Sequence, residues 1–205
     1  MNSPYPVCAP ARSGIITGMY PNSIGTGNMR AYAGSRTLRP EKESSLKIPY
    51  YSSKLAETIK PFTQILRENG YYCSNNSKRD YNFRLTDKAW DDSSNNASWE
   101  NREGGKPFFS VFNFNVTHES EIWKRDKQQI AVKPNALTVP PVFPDDSISR
   151  HALAVNYTNL VEMDRQVGLV VKKLKDQGLY DNTYIFFYSD HGLSLIHISE
   201  PTRRS

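Results

Sequence analysis

The sequence predicts an α/β fold, and three features support this prediction. Residues 107–114 (PFFSVFNF) form a short apolar run, which is typical of a buried strand. Residues 147–177 repeat apolar side chains three or four positions apart, which predicts a long helix that stops at Gly178. Residues 183–188 (TYIFFY) form a second apolar run, and the polar residues 189–192 (SDHG) follow it directly. Functional groups at the carboxyl end of a strand are typical of open α/β sheets.

Shorter elements precede these. A helix is expected over residues 13–19, just after Pro10, and another over residues 60–69, which stops at Gly70. Residues 20–51 are rich in glycine, serine, proline and tyrosine and are expected to be loops. Residues 71–105 are polar and rich in asparagine, with Trp90 and Trp99 as anchors, and residues 124–146 are mostly an excursion punctuated by proline. The apolar stripe of the long helix comprises Leu153, Tyr157, Leu160, Met163, Val167, Val171 and Leu174. Such a stripe is expected to be buried.

The composition limits the classes of protein to which the chain can belong. Its 205 residues include 26 basic and 21 acidic side chains, for a net charge of +5, and 38% are hydrophobic, enough for one sizeable domain. No window of about 18 apolar residues is present, so no membrane span is expected. The basic excess suits a polyanionic partner, but no motif that reads nucleic acid is present, so nucleic acid is not expected. Two cysteines, Cys8 and Cys73, do not form a disulfide framework, although one bridge between them is possible.

Residues 6–18 (PVCAPARSGIITG) combine a cysteine, a proline and an arginine ahead of a small apolar run. A lone cysteine is more often a small buried hydrophobe than a catalyst. Here Pro10 suits the first turn of a helix, and Arg12 brings a permanent charge and a planar fork of donors suited to oxyanions. The pattern therefore places the reactive Cys8 and the arginine at a helix N-terminus, which favours anion binding.

This stretch resembles the sulfatase signature, Cys-x-Pro-(Ser/Ala)-Arg followed by two apolar residues and Thr-Gly. The resemblance implies an alkaline-phosphatase-like sulfatase fold, in which helices flank a mixed sheet. This fold is expected to be incomplete at both ends of the chain. It also implies that a formylglycine-generating enzyme converts Cys8 to formylglycine, whose hydrated aldehyde attacks the sulfur of a sulfated carbohydrate. A thiolate would leave an S-sulfo product with no easy exit, whereas a diol can re-form its aldehyde and expel sulfate.

Two further positions match the family in part. Lys78 follows Gly70 at the spacing of the second sulfatase signature, but Cys73 replaces its Ser/Thr and Ser77 replaces its second glycine. The resemblance implies that Lys78 binds sulfate, and the alternative is a solvated loop lysine. His118 follows the strand at 107–114 as a histidine does in the family, where it would protonate the leaving oxygen or nitrogen. The alternative for His118 is a structural histidine at a strand end.

The polar residues at 189–192 resemble the Ser-Asp-(Asn/His)-Gly motif that binds a divalent cation, usually calcium. Asp190, His191 and the modified Cys8 are thus the implied metal ligands. A carboxylate is an expected calcium ligand, and an imidazole is a less usual one. The family also uses two adjacent aspartates from a first strand. The pairs at 91–92 and 145–146 do not follow such a strand and are not assigned to the metal, so the chain as written is expected to be inactive.

The sequence predicts a partial sulfatase catalytic domain over residues 1–192. Residues 193–205 resemble read-through of an adapter used in sequencing libraries and are excluded from the fold prediction. The family resemblance implies a secreted, periplasmic or lysosomal protein, although the N-terminus has no signal-peptide pattern.

The resemblance is strongest to the N-sulfoglucosamine sulfohydrolase branch, over residues 17–30, 107–120 and 139–168. It therefore suggests a sulfo-sugar substrate, with an O-sulfo or an N-sulfo group. Two alternatives stay open. One is a phosphonate or phosphodiester hydrolase of the same superfamily, and the other is an inactive homologue that only binds sulfated glycans.

Overall fold

The computed structural model describes residues 3–28 and 53–192. These residues belong to two compact units, which are treated separately. The first unit is Met1–Asn113 with Ser189–Gly192, and the second is Phe114–Tyr188 with Leu193–Ser205. Most of the predicted loop at 20–51 and the whole tail at 193–205 lie outside the described residues. Within the described ranges, no helix is long and apolar enough to cross a membrane.

The first unit is built on a three-stranded parallel sheet. Its strands are β1 (Tyr72–Asn76), β2 (Asp92–Ser93) and β3 (Phe108–Phe112), in the order β2-β1-β3. Tyr72 pairs with Phe108 and Asn76 with Phe112, so β1 and β3 end at the same level. The predicted α/β class is confirmed, and the described strands are all parallel rather than mixed.

The sequence pattern predicts no strand within the polar residues 71–105, but β1 and β2 lie there. The buried side chains of β1 are Cys73, Ser74 and Asn75, of which two are polar. They are tolerated because they are hydrogen-bonded: Ser74 Oγ pairs with Ser110 Oγ at 2.7 Å, and Asn75 Nδ2 donates to Ser93 Oγ at 2.9 Å. A search for apolar runs cannot find such a strand.

Two helices flank this sheet, α1 (Cys8–Thr17) and α2 (Phe62–Glu68). Helix α1 begins at Cys8, before the predicted start at Ser13, so Pro10 lies in its first turn. Proline is accepted there because the first N–H groups of a helix have no intrahelical acceptor. The helix ends at Gly18, whose φ of 67° is unfavourable for other residues.

Aromatic side chains dominate the interior of the first unit. Trp99 is buried, stacks on Phe108 with ring centroids 5.7 Å apart, and meets Phe112 edge-on at 5.5 Å. The cluster beneath α1 comprises Ile16, Tyr81 and Phe83 with Leu55, Phe62, Leu85 and Trp90. Ile16 lies in the last turn of α1, so this packing anchors the C-terminal end of the helix.

The second unit contains α3 (Ser120–Lys124) and α4 (Ser147–Asp176). Asp146 caps α4 by accepting a hydrogen bond from Ser149 N at 2.8 Å. The long predicted helix is therefore present, but its stripe is only partly buried. Leu153 and Leu174 are buried, whereas Tyr157 is 45% exposed and Leu160 is also exposed. Hydrogen bonds from the segment at residues 126–134 reach α4 at residues 150–159. These contacts cover the first half of the helix.

The prediction of a buried strand at 183–188 is wrong. The segment is assigned to no strand, and Tyr184 is 94% and Phe186 77% exposed. An apolar run becomes a buried strand only where a neighbouring strand takes up its backbone N–H and C=O groups. The described part of the second unit contains no strand that could do this.

Candidate active site

The first unit brings side chains from four separate segments to the carboxyl ends of β1 and β3. Cys8 and Arg12 lie four residues apart on α1 and therefore on one face of the helix. Lys78 follows β1, Asn113 follows β3, and residues 189–192 supply the fourth segment. Carboxyl ends of parallel strands share one edge of a sheet, which is the usual position for sites in open α/β folds.

Cys8, Asp190 and His191 form one cluster. Cys8 Sγ lies 2.9 Å from His191 Nε2, and His191 Nε2 lies 3.9 Å from Asp190 Oδ1. One ligand atom from each of the three residues falls within 4.8 Å of the others. The hydrogen bond to Cys8 is the main cause that raises the pKa of His191 to about 9, which favours the imidazolium at neutral pH beside the unmodified cysteine.

The second nitrogen of this imidazole is fixed by the backbone. His191 Nδ1 lies 2.6 Å from Gly192 O, and a carbonyl oxygen can only accept, so Nδ1 carries a proton. In the neutral imidazole, Nε2 therefore has a lone pair directed towards the cluster. Metal-binding histidines commonly hold their second ring N–H in this way.

Arg12 is held on three sides. Its Nη2 donates to Lys78 O at 3.1 Å and to Asn113 Oδ1 at 2.8 Å. Its guanidinium lies over the Tyr81 ring, 5.5 Å from the centroid, which adds a cation–π contact. Its side chain is only 12% exposed. The arrangement leaves Nη1 as the nitrogen that faces Asp190.

Asp190 lies between two cations without a hydrogen bond to either. Its Oδ2 is 3.7 Å from Arg12 Nη1 and 3.7 Å from Lys78 Nζ. This oxygen is buried, and it accepts no hydrogen bond from any described residue. A buried carboxylate oxygen without a donor is costly unless something else binds it. The donor set of Asp190, His191 and the side chain at position 8 therefore fits a divalent cation.

The structure thus brings five of the six predicted site residues into the first unit, and Lys78 is among them. His118 belongs to the second unit, where its side chain is exposed. Its Nδ1 accepts from Ser120 N at 3.2 Å, so the neutral ring carries its proton on Nε2, as a proton donor would require. The assignment of His118 to the active site stays a prediction.

The two aspartate pairs that were not assigned to the metal have structural contacts instead. Asp91 Oδ2 accepts from Cys73 N at 2.7 Å, and Asp91 Oδ1 pairs with Arg67 at 2.8 Å. Asp145 pairs with Arg150, and Asp146 caps α4. Cys73 is fully buried and is not joined to Cys8 by a disulfide. Burial raises its pKa to about 12, so it is an unreactive thiol.

The sequence interpretation missed Asn75, Tyr81 and Asn113. Asn113 contacts Arg12 directly, and Asn75 supports it from β1. The only sequence signal was position, since Asn113 is a polar residue near the end of the apolar run at 107–114. Tyr81 carried no signal, because its place under Arg12 depends on how the chain returns after β1.

Residues 1–203 match the sequence profile of the sulfatase family. The chain therefore belongs to the sulfatase family, which confirms the family predicted from residues 6–18. The residues described above are the candidate site of this sulfatase-family chain, built on the first turn of α1 and on the segments that follow two parallel strands.

The chain is similar to curated sulfatases from two organisms. It is 37% identical over 221 residues to an ulvan-active sulfatase of Formosa agariphila, covering 91% of this chain and 36% of that protein. A second ulvan-active sulfatase of that organism is 24% identical over 217 residues, covering 91% of this chain and 41% of that protein. Human N-sulphoglucosamine sulphohydrolase is 38% identical over 63 residues, which are 31% of this chain and 12% of that protein. This last similarity bears out the resemblance to the N-sulfoglucosamine branch.

Proposed function

We propose that the whole protein hydrolyses sulfate esters of a sulfated polysaccharide, with the residue at position 8 as its nucleophile. One observation carries this proposal: Arg12 Nη1 and Lys78 Nζ converge on the same buried oxygen of Asp190, beside Cys8. Two cations next to a reactive side chain suit the anionic tetrahedral sulfo group of a sulfate ester and the charge that develops during its transfer. Membership of the sulfatase family supports the same reaction.

Formylglycine at position 8 would supply a hydrated aldehyde as nucleophile and would release sulfate by re-forming the aldehyde. The chain's own residues bind and orient the substrate. Arg12 directs one nitrogen towards the sulfate oxygens because its other terminal nitrogen is committed to Lys78 O and Asn113. Lys78 adds a second cation on the same side, and His118 is proposed to protonate the leaving oxygen.

Asp190, His191 and the modified residue 8 would hold a divalent cation, with calcium as the ion proposed from the family. Bound there, the ion would polarise the sulfate group. The carboxylate of Asp190 suits calcium, and the fixed Nδ1–H of His191 leaves Nε2 available as a ligand.

The O-sulfo group of a polysaccharide is the favoured substrate, because the two ulvan-active relatives align over 91% of the chain. The N-sulfo group of glucosamine is a second candidate, supported by the shorter similarity to the human N-sulphoglucosamine sulphohydrolase. The proposal also requires a formylglycine-generating enzyme as a partner, and it implies a secreted, periplasmic or lysosomal protein.

The test is a substrate panel on the whole protein, produced together with a formylglycine-generating enzyme. We expect sulfate release from sulfated oligosaccharides and none from the Cys8→Ala variant. Cleavage of simple aryl sulfates alone would contradict a sugar substrate, and faster cleavage of phosphate diesters would favour the phosphohydrolase alternative. Glycan binding without turnover, with an unmodified Cys8 by mass spectrometry, would favour the inactive homologue.

A further inference from the structure

We propose that Asn113 is a positioning residue that fixes the guanidinium plane of Arg12 and thereby directs Nη1 at the sulfate group. This inference rests on the proposed function. Asn113 follows β3 directly and lies beside Arg12, with 2.8 Å between Arg12 Nη2 and Asn113 Oδ1.

The two terminal nitrogens of Arg12 have different contacts, and its Nε is buried without a hydrogen bond to a described residue. Nη2 has two hydrogens, and Lys78 O and Asn113 Oδ1 accept them. Nη1 lies 3.7 Å from Asp190 Oδ2, which is beyond hydrogen-bonding distance. Nη1 is therefore the terminal nitrogen that faces the cluster without a hydrogen bond to a described residue. Partial rotation about the Nε–Cζ bond would break both hydrogen bonds of Nη2 and turn Nη1 away from the cluster.

The Tyr81 ring cannot prevent that movement alone. The cation–π contact attracts the charge to the Tyr81 ring at 5.5 Å but is only weakly directional, so it does not by itself fix the rotation about Nε–Cζ. A hydrogen bond is directional, so the two acceptors of Nη2 fix that rotation. Of these two acceptors, Lys78 O belongs to the backbone and Asn113 is the side chain.

Asn113 itself is fixed by the strand next to it. Its Nδ2 donates to Asn75 Oδ1 at 2.9 Å and to Asn76 O at 3.0 Å. Because Asn75 Oδ1 and Asn76 O can only accept, the amide nitrogen of Asn113 must face them. The amide oxygen of Asn113 therefore faces Arg12. Asn75 is completely buried, and its own Nδ2 donates to Lys78 O at 3.1 Å and to Ser93 Oγ. Arg12, Asn113, Asn75 and Lys78 O thus form one closed set of hydrogen bonds.

The first experiment measures the guanidinium directly and does not depend on turnover. In the full 205-residue chain, nitrogen NMR of the Arg12 side chain reports the rate of rotation about Nε–Cζ. We expect slow rotation in the wild type and rotation several-fold faster in Asn113→Ala. Ser93→Ala is the matched control, because it removes the hydrogen bond between Asn75 and Ser93, which does not involve Arg12. Equal rates in the wild type and Asn113→Ala would overturn the proposal.

The second experiment measures catalysis by the whole protein. Asn113→Ala is expected to lower kcat/KM for the sulfated substrate by about 10- to 100-fold, mostly through kcat, because a misplaced donor weakens transition-state stabilisation. In an Arg12→Lys background the same change is expected to cost little, since lysine has no fork to orient. A structural role alone predicts equal losses in both backgrounds, and that result would overturn the proposal. If the wild type released no sulfate, the proposed function would fail, while the NMR result would still decide the orientation of Arg12.

Discussion

The first unit contains two clusters that each hold a cysteine, an arginine and an aspartate. The clusters differ in whether both carboxylate oxygens of the aspartate have a close partner. In the cluster at Cys73, Asp91 binds Cys73 N at 2.7 Å and Arg67 at 2.8 Å, so both of its oxygens have close partners. In the candidate active site, Asp190 Oδ2 lies 3.7 Å from Arg12 and accepts no hydrogen bond from the described residues. The same residue types thus give one aspartate with both oxygens bound and one aspartate with an unbound oxygen.

The cysteines differ in the same way. Cys73 is fully buried, its N–H is bound by Asp91, and burial raises the pKa of its thiol to about 12. Cys8 is only partly buried, at the first turn of a helix, and its Sγ contacts His191. Polar groups with hydrogen-bond partners stabilise a fold, whereas polar groups without such partners can still bind a ligand. The unbound oxygen of Asp190, rather than the residue types, distinguishes the candidate active site from the cluster at Cys73.

The largest expected difference between the clusters is in activity. Cys8→Ala should abolish sulfate release by the whole protein, because it removes the precursor of the nucleophile. Cys73→Ala should retain release and lower the melting temperature, because it leaves a small cavity at a buried site. Release assays and thermal melts of both variants check this. Loss of release in Cys73→Ala at a temperature where it stays folded would contradict the comparison.

Exchanging each aspartate for asparagine should give opposite phenotypes. Asp190→Asn should lose most sulfate release, because it weakens the proposed cation site. Asp91→Asn should keep release but lower the free energy of unfolding by up to about 1 kcal/mol, because Arg67 loses its charged partner in a partly exposed ion pair. Urea titrations and release assays measure both effects. A larger stability loss in Asp190→Asn than in Asp91→Asn would show that the two clusters are not different in kind.

Thiol alkylation should separate the two cysteines in the chain made without a formylglycine-generating enzyme. At pH 8, iodoacetamide should label Cys8 and leave Cys73 unlabelled, because Cys73 is buried and its thiol holds its proton until about pH 12. Peptide mass spectrometry reads each site, and labelling in denaturant is the control in which both should react. Labelling of Cys73 in the folded chain would mean that the cluster of Cys73, Arg67 and Asp91 opens readily.

The last expected effect is a pH dependence of stability. The pKa of Cys73 rises from its ordinary value of 9.0 to about 12 on folding. Between these values the unfolded chain releases a proton that the folded chain retains, so the free energy of unfolding should fall by about 1.4 kcal/mol per pH unit. Below pH 9 this thiol should have no effect. Denaturation curves of the wild type and Cys73→Ala from pH 8 to 11 isolate it, and identical pH slopes would contradict it.

The sequence predicted what depends on local pattern. The strand at 107–114, the long helix and the pairing of Cys8 with Arg12 follow from periodicity and from spacing on one helix. Strand β1 escaped prediction because its interior is hydrogen-bonded rather than apolar. The approach of Lys78 and Asp190 to Arg12 depends on contacts between residues far apart in the chain, and a local pattern cannot supply those contacts. Asn113 could be read as polar, but its amide orientation follows only from neighbours on another strand.

The exposed aromatic segment at 183–188 has a consequence for handling the chain. It offers six consecutive residues without charge or proline, rich in aromatic and β-branched side chains, and Tyr184 and Phe186 are mostly in solvent. Segments of this composition stack between molecules as cross-β ribbons. The net charge of +5 opposes such stacking only weakly at physiological salt, where repulsion is screened within about 8 Å. Solubility of the isolated chain will therefore depend more on these six residues than on its folded core.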